Sequence, residues 1–482
     1  YHEELRARFP ETLFALFDIP GLGAKRIKTL YEDLGISTLG ELEYACNENR
    51  LITLKGFGPK MQQKMLDGLA FAKRHQGQYL LSAGLEAANA LRDWLREETS
   101  VSQIEIAGSL RRRKETVKDV DLLAAGSDPD RIMARFVEAP GVETVTSRGD
   151  TKSSVVLASG IAADLRVVSG AQFPYALAHF TGSKDHNVVM RQRAKDRKMK
   201  LNEYGLFHGE DRLVRCEDEE AVFAALDLPY IPPELREDRG EFDVESLPEL
   251  VQREDLLGVM HCHSTYSDGR NSIEEMAGGA KARGYRYIGF ADHSQSAAYA
   301  GGLKPSDVER QHDEMDRVME KVAGIRILKG IESDILGDGS LDYDEKVLER
   351  FDFVIASVHS KLSMTEKDAT QRLLTAIRNP YTIILGHPTG RLLLSRAGYP
   401  LDFDAIFDAC AKHRVGIEIN ANPHRLDLDW RYLRTARERG VRLCIGPDAH
   451  SVEGLDDVDY GLGIARKGWL QKDDLLNCMD AE

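Results

Sequence analysis

Histidines and acidic residues recur in the C-terminal half of the sequence at the ends of short apolar runs. His261 and His263 are two positions apart, so on a strand both side chains point to one face while Cys262 points to the other. Asp268 follows, and five later runs end in the same residue types. The nine candidate metal ligands are His261, His263, Asp268, His293, Glu332, His359, His387, Asp448 and His450. Mixed imidazole and carboxylate donors suit Zn²⁺, Mn²⁺ or Fe²⁺, and this number of donors predicts two or three ions.

A second set of carboxylates lies in the N-terminal half. Asp119 and Asp121 are separated by one residue on a predicted strand, so both face the same way, and Asp164 lies on a later strand. Neighbouring carboxylates repel one another unless a divalent cation lies between them, as in two-metal phosphoryl transfer. The preceding segment, Gly108 and Ser109 followed by the three arginines at 111–113, offers a turn and positive charge for triphosphate oxygens. This set predicts nucleotidyl transfer with Mg²⁺ or Mn²⁺.

Two Gly-x-Gly turns near the N-terminus each precede an amphipathic stretch. Such a turn exposes backbone N–H groups beside a helix N-terminus, which suits a phosphate, although an ordinary helix–turn–helix connection explains a single copy as well. The candidate DNA contacts are Gly21, Gly23 and Lys25 in the first turn and Gly56, Gly58 and Lys60 in the second. The first copy resembles the helix-hairpin-helix motif of DNA repair proteins, and the second is a weaker match that is also explained by packing against the first.

The elements that must position these residues follow from the hydrophobic pattern. Residues 1–95 have a helical pattern, 96–170 contain strand-like runs, and 171–232 complete a mixed region. Four prolines and many charges without an apolar period over about 228–255 predict a linker, which we place at 233–255. Seven apolar runs alternate with helical segments over 256–482, which predicts a parallel βα barrel. Because the carboxyl ends of barrel strands meet at one face, we expect the nine candidate ligands to converge there.

Length and composition limit the classes of protein. A chain of 482 residues exceeds one ordinary core, so several domains are expected. A composition of 42% hydrophobic and 30% charged residues is typical of a soluble globular protein. No stretch has the 18 or so consecutive apolar residues of a membrane span. The six cysteines form no CxxC pair, which favours reduced thiols in a cytoplasm.

The net charge of −15 is unevenly distributed. Residues 1–200 carry 30 Lys and Arg against 26 Asp and Glu, whereas residues 233–482 carry 32 against 45. A mildly basic first half is compatible with phosphate binding, and an acidic second half with bound cations. A solvated acidic surface explains the same numbers, so charge alone does not decide between these interpretations.

The three-aspartate set, with His179-Phe-Thr-Gly182-Ser further on, resembles the core of the family X DNA polymerases. The resemblance implies that Asp119, Asp121 and Asp164 are catalytic metal ligands. It also implies that Arg166 pairs with Glu203. The remaining implied contacts are Gly108, Ser109, Arg112, His179, Phe180, Gly182 and Asn187 to the nucleotide, and Arg191 to DNA. The family usually has Tyr at the position of His179, so ribose discrimination is expected to differ. No 5′-deoxyribose-phosphate lyase activity is assigned to these residues.

The nine-donor pattern, with HxHSxxSDG first and DAH last, resembles the polymerase and histidinol phosphatase (PHP) domain. The implied chain is multidomain, α+β and α/β: a helix-hairpin-helix region (1–95), a nucleotidyltransferase palm (96–170), a fingers-like, nucleotide-selecting subdomain (171–232), a linker, and a distorted TIM-like PHP barrel (256–482). The implied function is gap-filling DNA-directed DNA synthesis in base excision repair, with a metal-dependent 3′–5′ exonuclease that sometimes cuts at abasic sites.

The implied partners are gapped or primer–template DNA and deoxynucleoside triphosphates, with no membrane, in a cytoplasmic, nucleoid-associated enzyme. Two alternatives stay open. One is a small-molecule phosphatase of the PHP type, which the hairpins and the three aspartates disfavour. The other is a DNA-binding scaffold with an inactive barrel, which the two complete ligand sets disfavour.

Overall fold

A computed structural model describes residues 9–19, 22–52, 54, 56–73, 77–209 and 212–481. The chain folds into two compact units that are not simple halves of the sequence. One unit combines the residues up to Ala72 with those from Leu250 onward, and the other is Lys73–Glu249. Within the first unit we call the described residues of 9–72 the helical region and residues 250–481 the barrel. The division between the units falls inside the predicted 1–95 region. Among the described residues, no helix combines the length and apolarity needed to cross a bilayer.

The helical region contains a 3₁₀ helix and three α-helices around a small apolar core. The 3₁₀ helix is Glu11–Asp18, and the α-helices are α1 (Ala24–Leu34), α2 (Leu39–Asn47) and α3 (Pro59–Lys73). A capping box starts α2, because the Thr38 side chain accepts from the Glu41 N–H and the Glu41 carboxylate accepts from the Thr38 N–H. The fully buried core residues include Leu16, Leu30, Leu42, Leu51 and Leu69.

The second unit is built on a five-stranded sheet of order β2-β4-β7-β6-β5. Its strands are β2 (Val101–Ile106), β4 (Asp119–Gly126), β5 (Val142–Arg148), β6 (Lys152–Leu157) and β7 (Ala162–Val168). A separate pair joins β1 (Tyr79–Leu80) to β3 (Thr116–Val117). The helices of this part are α4 (Leu81–Arg96), α5 (Gly108–Arg111) and α6 (Pro129–Val137). Strands β4 and β7 are parallel neighbours, and their register sets Asp121 on β4 beside Asp164 on β7.

The rest of the second unit contains three helices and a three-stranded antiparallel sheet. The elements are α7 (Phe173–Thr181), α8 (Lys184–Asp196), β8 (Met199–Asn202), β9 (Gly205–His208), β10 (Arg212–Val214) and α9 (Glu219–Ala224). The first part of the predicted 233–255 linker packs here: Arg236 is fully buried, and the Glu241 carboxylate contacts His186 Nδ1 at 2.9 Å. A proline-rich, charged segment can therefore be ordered when its charges find partners.

The barrel has seven parallel strands in sequence order. They are β11 (Gly258–Cys262), β12 (Tyr287–Phe290), β13 (Arg326–Asp334), β14 (Phe353–Ser357), β15 (Thr382–Leu385), β16 (Gly416–Asn420) and β17 (Leu443–Gly446). A β-bridge between Cys262 and Ala449 joins the first strand to the segment after the last, so the sheet nearly closes. The helices between and after the strands are α10 (Ile273–Ala282), α11 (Pro305–Lys321), α12 (Glu345–Leu348), α13 (Glu366–Ile377), α14 (Phe403–His413), α15 (Trp430–Glu438) and α16 (Val458–Lys467). The predicted βα barrel is confirmed.

The buried Arg236 gives a test of the packing at the end of the second unit. Its Nη1 contacts Glu219 Oε1 at 2.7 Å, and its Nε donates to the Ile231 carbonyl at 2.8 Å. We expect Arg236→Ala to lower the free energy of unfolding by about 1–3 kcal/mol, because the buried Glu219 carboxylate loses one of its two arginine partners and keeps only Arg111. Urea unfolding followed by circular dichroism measures the loss. Arg96→Ala, in the exposed Arg96–Asp93 pair, should cost less than about 0.5 kcal/mol. Equal losses would contradict the assignment.

Candidate functional site

The nine candidate ligands of the barrel lie together at the carboxyl ends of the strands. Each of their side chains is at most 5% exposed. Glu332 is central: one of its carboxylate oxygens lies 3.1 Å from His359 Nε2 and 2.9 Å from His387 Nε2, and the other lies 2.9 Å from His293 Nδ1. The arrangement follows from the fold, because every strand that supplies a donor ends at the same face.

Donor atoms within this cluster form three groups in which all atoms lie within 4.8 Å of one another. The groups are His263, Asp268, His293 and His450; His261, His263 and Asp448; and His293, Glu332 and His359. His387 is outside these groups but contacts Glu332. Each group could hold a metal ion, and the number of ions stays a prediction.

The donor chemistry fits divalent cations. Seven of the nine residues have a buried polar atom that makes no well-aligned hydrogen bond in the described part of the chain, although several of these atoms lie beside another candidate ligand. The atoms without such a bond are His261 Nε2, His263 Nδ1, Asp268 Oδ2, both nitrogens of His293, Glu332 Oε2, His387 Nδ1 and His450 Nε2. Buried polar atoms are normally satisfied, and a bound cation satisfies several donors at once.

The candidate ligand imidazoles differ in the direction of their pKa shifts. Burial lowers the pKa of His293, but the adjacent Asp268 and Glu332 carboxylates outweigh it and raise that pKa to about 10. Burial, together with the charge of His450, lowers the pKa of His263 to about 3. A metal ion must displace a proton from an imidazole with a raised pKa, such as His293. The imidazole of His263, with its lowered pKa, is already neutral and can bind the ion without losing a proton.

Side chains beyond the nine orient them, and the sequence pattern did not identify these residues. Glu418 accepts from His261 Nδ1 at 2.5 Å and from the His387 backbone N–H at 2.6 Å. Asp334 contacts His359 Nδ1. Carboxylates that fix the second nitrogen of a ligating imidazole commonly surround metal sites. Two signals in the sequence could have found them. Glu418 interrupts the short apolar run of β16, and Asp334 lies two residues after Glu332, on the same strand face.

In the second unit, the three candidate aspartates share one face of neighbouring strands. Asp121 on β4 pairs in register with Asp164 on β7, and Asp119 lies two positions from Asp121. Burial raises the pKa of Asp121 to about 6, and the charges of Asp119 and Asp164 add to the increase. Lys152 Nζ contacts Asp164 Oδ2 at 2.6 Å. Among the described residues, the three aspartates do not form a group whose ligand oxygens all lie within 4.8 Å of one another. Their oxygens are therefore more widely spaced than the donor atoms of the barrel groups.

A glycine is required at position 108, where the first candidate nucleotide-binding segment meets these aspartates. Its φ is +60°, and a Cβ there would lie 2.1 Å from Asp121 Oδ2. The backbone N–H of Ala107 also donates to the Asp121 carbonyl at 2.8 Å. The segment of Gly108 and Ser109 is therefore held directly against the carboxylates.

Arg112 connects this segment to the turn between α7 and α8. Its Nη1 donates to the Thr181 carbonyl at 2.7 Å, while its Nε donates to Glu237 Oε1 at 3.1 Å. Arg112 thus holds the segment 108–112 against the turn at 181–182. The same guanidinium is also paired with the Glu237 carboxylate. Gly182 caps the end of α7, where a Cβ would lie 2.6 Å from Asn187 Oδ1.

The other candidate nucleotide and DNA contacts in the second unit lie close to this turn. Asn187 Nδ2 donates to the His179 carbonyl at 2.7 Å, and the His179 and Phe180 rings meet edge to face at 5.0 Å. Arg191 lies half-buried on α8. Arg166 lies over the Phe180 ring at 4.4 Å; the described part of the chain shows no ion pair between Arg166 and Glu203, and their pairing stays a prediction. The aromatic face offers Arg166 a cation–π contact.

The helix-hairpin-helix candidates lie at two helix N-termini. Gly23 is the N-cap of α1 without a side-chain cap, and Lys25 is exposed in its first turn. Gly58 precedes α3, Lys60 is exposed in its first turn, and Gly56 has a φ of +93°. Gly21 lies outside the described residues.

Three family models match the chain. A SAM-like helix-hairpin-helix tandem matches residues 14–70, the DNA polymerase beta thumb matches 176–237, and the PHP domain matches 260–422. The thumb match extends past Pro232, in agreement with the packing of Arg236. Asp448 and His450 lie beyond the PHP match, although the structure places them in the cluster.

The relationship to one curated protein covers almost the entire chain. The sequence is 41% identical over 479 residues to the DNA polymerase/3′-5′ exonuclease PolX of Bacillus subtilis (strain 168), spanning 98% of this chain and 84% of that protein. The chain belongs to the PolX family. The resemblance to family X polymerases with a PHP domain is thereby confirmed.

Other relatives of this PolX chain match smaller parts. A probable phosphatase of Thermoanaerobacter sp. (strain X514) is 29% identical over 235 residues, which are 45% of this chain and 88% of that protein. A crystal structure of Leishmania infantum polymerase beta, a ternary P/T complex, is 24% identical and covers 47% of this chain and 98% of its own, with a TM-score of 0.31. That score is too low to define a shared fold.

The raised pKa of Asp121 predicts a pH-dependent penalty in the metal-free protein. The folded state holds a proton that the unfolded state releases, so stability falls as the pH rises from about 4 to 6 and the penalty is constant above. A shift of about two units corresponds to at most about 3 kcal/mol. We expect Asp121→Asn to be more stable than the parent at pH 8 in EDTA, and this difference to vanish near pH 4. Urea unfolding at both pH values tests this, and a difference independent of pH would contradict it.

Proposed function

We propose that this PolX chain fills gaps in DNA during repair and removes nucleotides from DNA 3′ ends. The observation that carries the proposal is the presence of two separate sets of ligand-type residues in one chain. One is the aspartate set of the second unit, and the other is the nine-donor cluster of the barrel. The 41% identity to a DNA polymerase/3′-5′ exonuclease along nearly the entire chain supports both activities.

Divalent metal ions are required at both sites. We assign Mg²⁺ or Mn²⁺ to Asp119, Asp121 and Asp164, and two or three of Zn²⁺, Mn²⁺ and Fe²⁺ to the barrel donors, because hard oxygens suit the first and mixed donors the second. When bound, such ions would neutralise phosphate oxygens, and they would activate the primer 3′-hydroxyl at the first site and water at the second. The chain's own residues hold the ligands in place: Gly108 keeps the backbone against Asp121, and Glu418 orients His261.

We further propose that the segment 108–112 and the turn at 179–187 bind the deoxynucleoside triphosphate. Their connection through Arg112 and Thr181 supports a single site next to the aspartates. The exposed lysines of the helical region, Lys25 and Lys60, would contact the DNA backbone, as would Arg191. We propose that the substrate is gapped or primer–template DNA and that the enzyme acts at the nucleoid in the cytoplasm.

A small-molecule phosphatase is the second candidate function for the barrel. The match to a probable phosphatase of Thermoanaerobacter favours it, because the same ligand cluster could hydrolyse a phosphate monoester. The two functions differ in substrate: an exonuclease shortens DNA one nucleotide at a time, whereas a phosphatase releases inorganic phosphate from a monoester and leaves the strand length unchanged.

Two single variants should separate the two activities on a 5′-labelled primer–template with Mn²⁺. Asp121→Ala should abolish primer extension but leave shortening, because only the aspartate set loses a ligand. His261→Ala should abolish shortening but leave extension. Product lengths on a denaturing gel, with and without nucleotides, measure both. Extension that survives Asp121→Ala, or shortening that survives His261→Ala, would refute the corresponding assignment. Phosphate release from a monoester without shortening would favour the phosphatase.

A further inference from the structure

The helical region lies against the mouth of the barrel, where the nine donors converge. Arg396 Nη1 contacts Glu41 Oε1 at 2.6 Å, and Gly40 has no room for a side chain because a Cβ would lie 2.3 Å from Ser395 Cβ. Asn422 Nδ2 donates to Glu48 Oε1 at 3.2 Å. These contacts place the end of α2 and the residues that follow it directly beside the candidate metal ligands.

Two side chains of this segment touch the donors themselves. Glu48 is 5% exposed and contacts His450 Nδ1, while His450 Nε2 lies 3.2 Å from Asp268 Oδ1 in one of the three ligand groups. A carboxylate on one imidazole nitrogen fixes the ring so that the other nitrogen faces the ion. Tyr44 OH donates to Asp448 Oδ2 at 3.4 Å and accepts from Arg425 Nη2 at 3.1 Å. The helical region therefore orients at least two of the nine.

Arg50 is the cation of this segment. Its guanidinium lies between two aromatic rings, 5.1 Å from the Tyr44 centroid and 5.3 Å from that of Tyr299, and its Nε is 3.6 Å from Asp268 Oδ2. Its side chain is only 12% exposed. A guanidinium held rigidly beside metal ligands suits a phosphate group, which it can bind through two N–H groups.

A cleft of about 960 Å³ opens between the helical region and the barrel at this position. Its lining includes Tyr44, Arg50, Tyr299, His359, Lys361 and Arg425. His359 connects the cleft to the ligand cluster, and three of the six residues are cations. The volume lies in the range of small-molecule pockets, so it can hold a nucleotide with its phosphate.

We propose that residues 44–50 of the helical region are part of the nuclease centre. Arg50 binds the phosphate of the DNA 3′-terminal nucleotide in the cleft, and Glu48 and Tyr44 are positioning residues for His450 and Asp448. The proposal rests on the exonuclease function proposed above. It gives the helical region a second role besides contact with the DNA backbone, because Arg50 and Glu48 both come from this region and not from the barrel.

The role of Glu48 is tested by metal binding without any turnover. In an Asp121→Ala background, which removes a ligand of the other site, Glu48→Ala should weaken Mn²⁺ binding by about 10–100-fold. Glu48→Gln, which keeps the shape and an acceptor oxygen, should weaken it less. Isothermal titration calorimetry of the full chain measures both. An unchanged affinity in Glu48→Ala would overturn the positioning role.

The role of Arg50 is tested by the kinetics of shortening of a 5′-labelled oligodeoxythymidylate. Arg50→Ala should lower kcat by about 100-fold, because one preorganised donor to the reacting phosphate is lost. Arg50→Lys keeps the positive charge but lacks the planar guanidinium, so its kcat should lie between those of the wild type and Arg50→Ala. The matched control is Arg326→Ala, an exposed arginine at the opposite end of β13, which should change kcat by less than about twofold.

The outcomes separate this proposal from the proposed function. If Arg50→Ala unfolds at a lower temperature than the parent, its loss of kcat could reflect instability. The kcat of Arg50→Lys then tests the phosphate contact in its place. Wild-type kcat in both Arg50 variants would overturn the phosphate contact while the exonuclease assignment stands. If the parent protein shortens no DNA, the exonuclease function fails, and the Mn²⁺ titration still decides whether Glu48 belongs to the metal centre.

Discussion

Buried carboxylate charge is the constraint on which the barrel depends. Glu332, Asp268 and Asp448 lie almost without solvent contact, where an uncompensated charge is very unfavourable. The imidazoles around them lower the pKa of all three carboxyl groups well below the usual range, despite the opposing effect of burial. Since the six imidazoles come from five different strand ends, the strands must finish at one place for the charges to balance. The same arrangement leaves several donor atoms available to cations.

The backbone of this centre is held in uncommon conformations. His261, His387 and Asp448 have φ values of +60°, +21° and +53°, in a region that residues with a side chain rarely adopt. Such strain persists only where the surrounding structure enforces it, and it is concentrated at functional sites. Here the enforcing contacts include the Glu418 carboxylate, which accepts from both His261 and the His387 backbone. Side chains outside the ligand set therefore determine the shape of the cluster.

Regular patterns could be read from the sequence, but contacts between distant segments could not. The seven apolar runs correspond to the seven barrel strands, and the aspartates at 119 and 121 share a strand face, because both follow from local periodicity. Strand β5 was not predicted, since most of its residues are exposed and give no apolar alternation. Burial of Arg236 depends on Glu219, and the position of Glu48 beside His450 depends on the complete fold, so neither has a local signal.

The order of the two units along the chain affects how the protein is made. Tyr44 and Asp448, which are in contact, are 404 positions apart, and the entire second unit lies between them in the sequence. At a synthesis rate of about 5–20 residues per second, the helical region leaves the ribosome tens of seconds before its partner strands. The second unit can fold during that interval, whereas the barrel mouth closes only when translation is almost complete. A truncated nascent chain therefore contains the aspartate site but lacks Asp448 and His450.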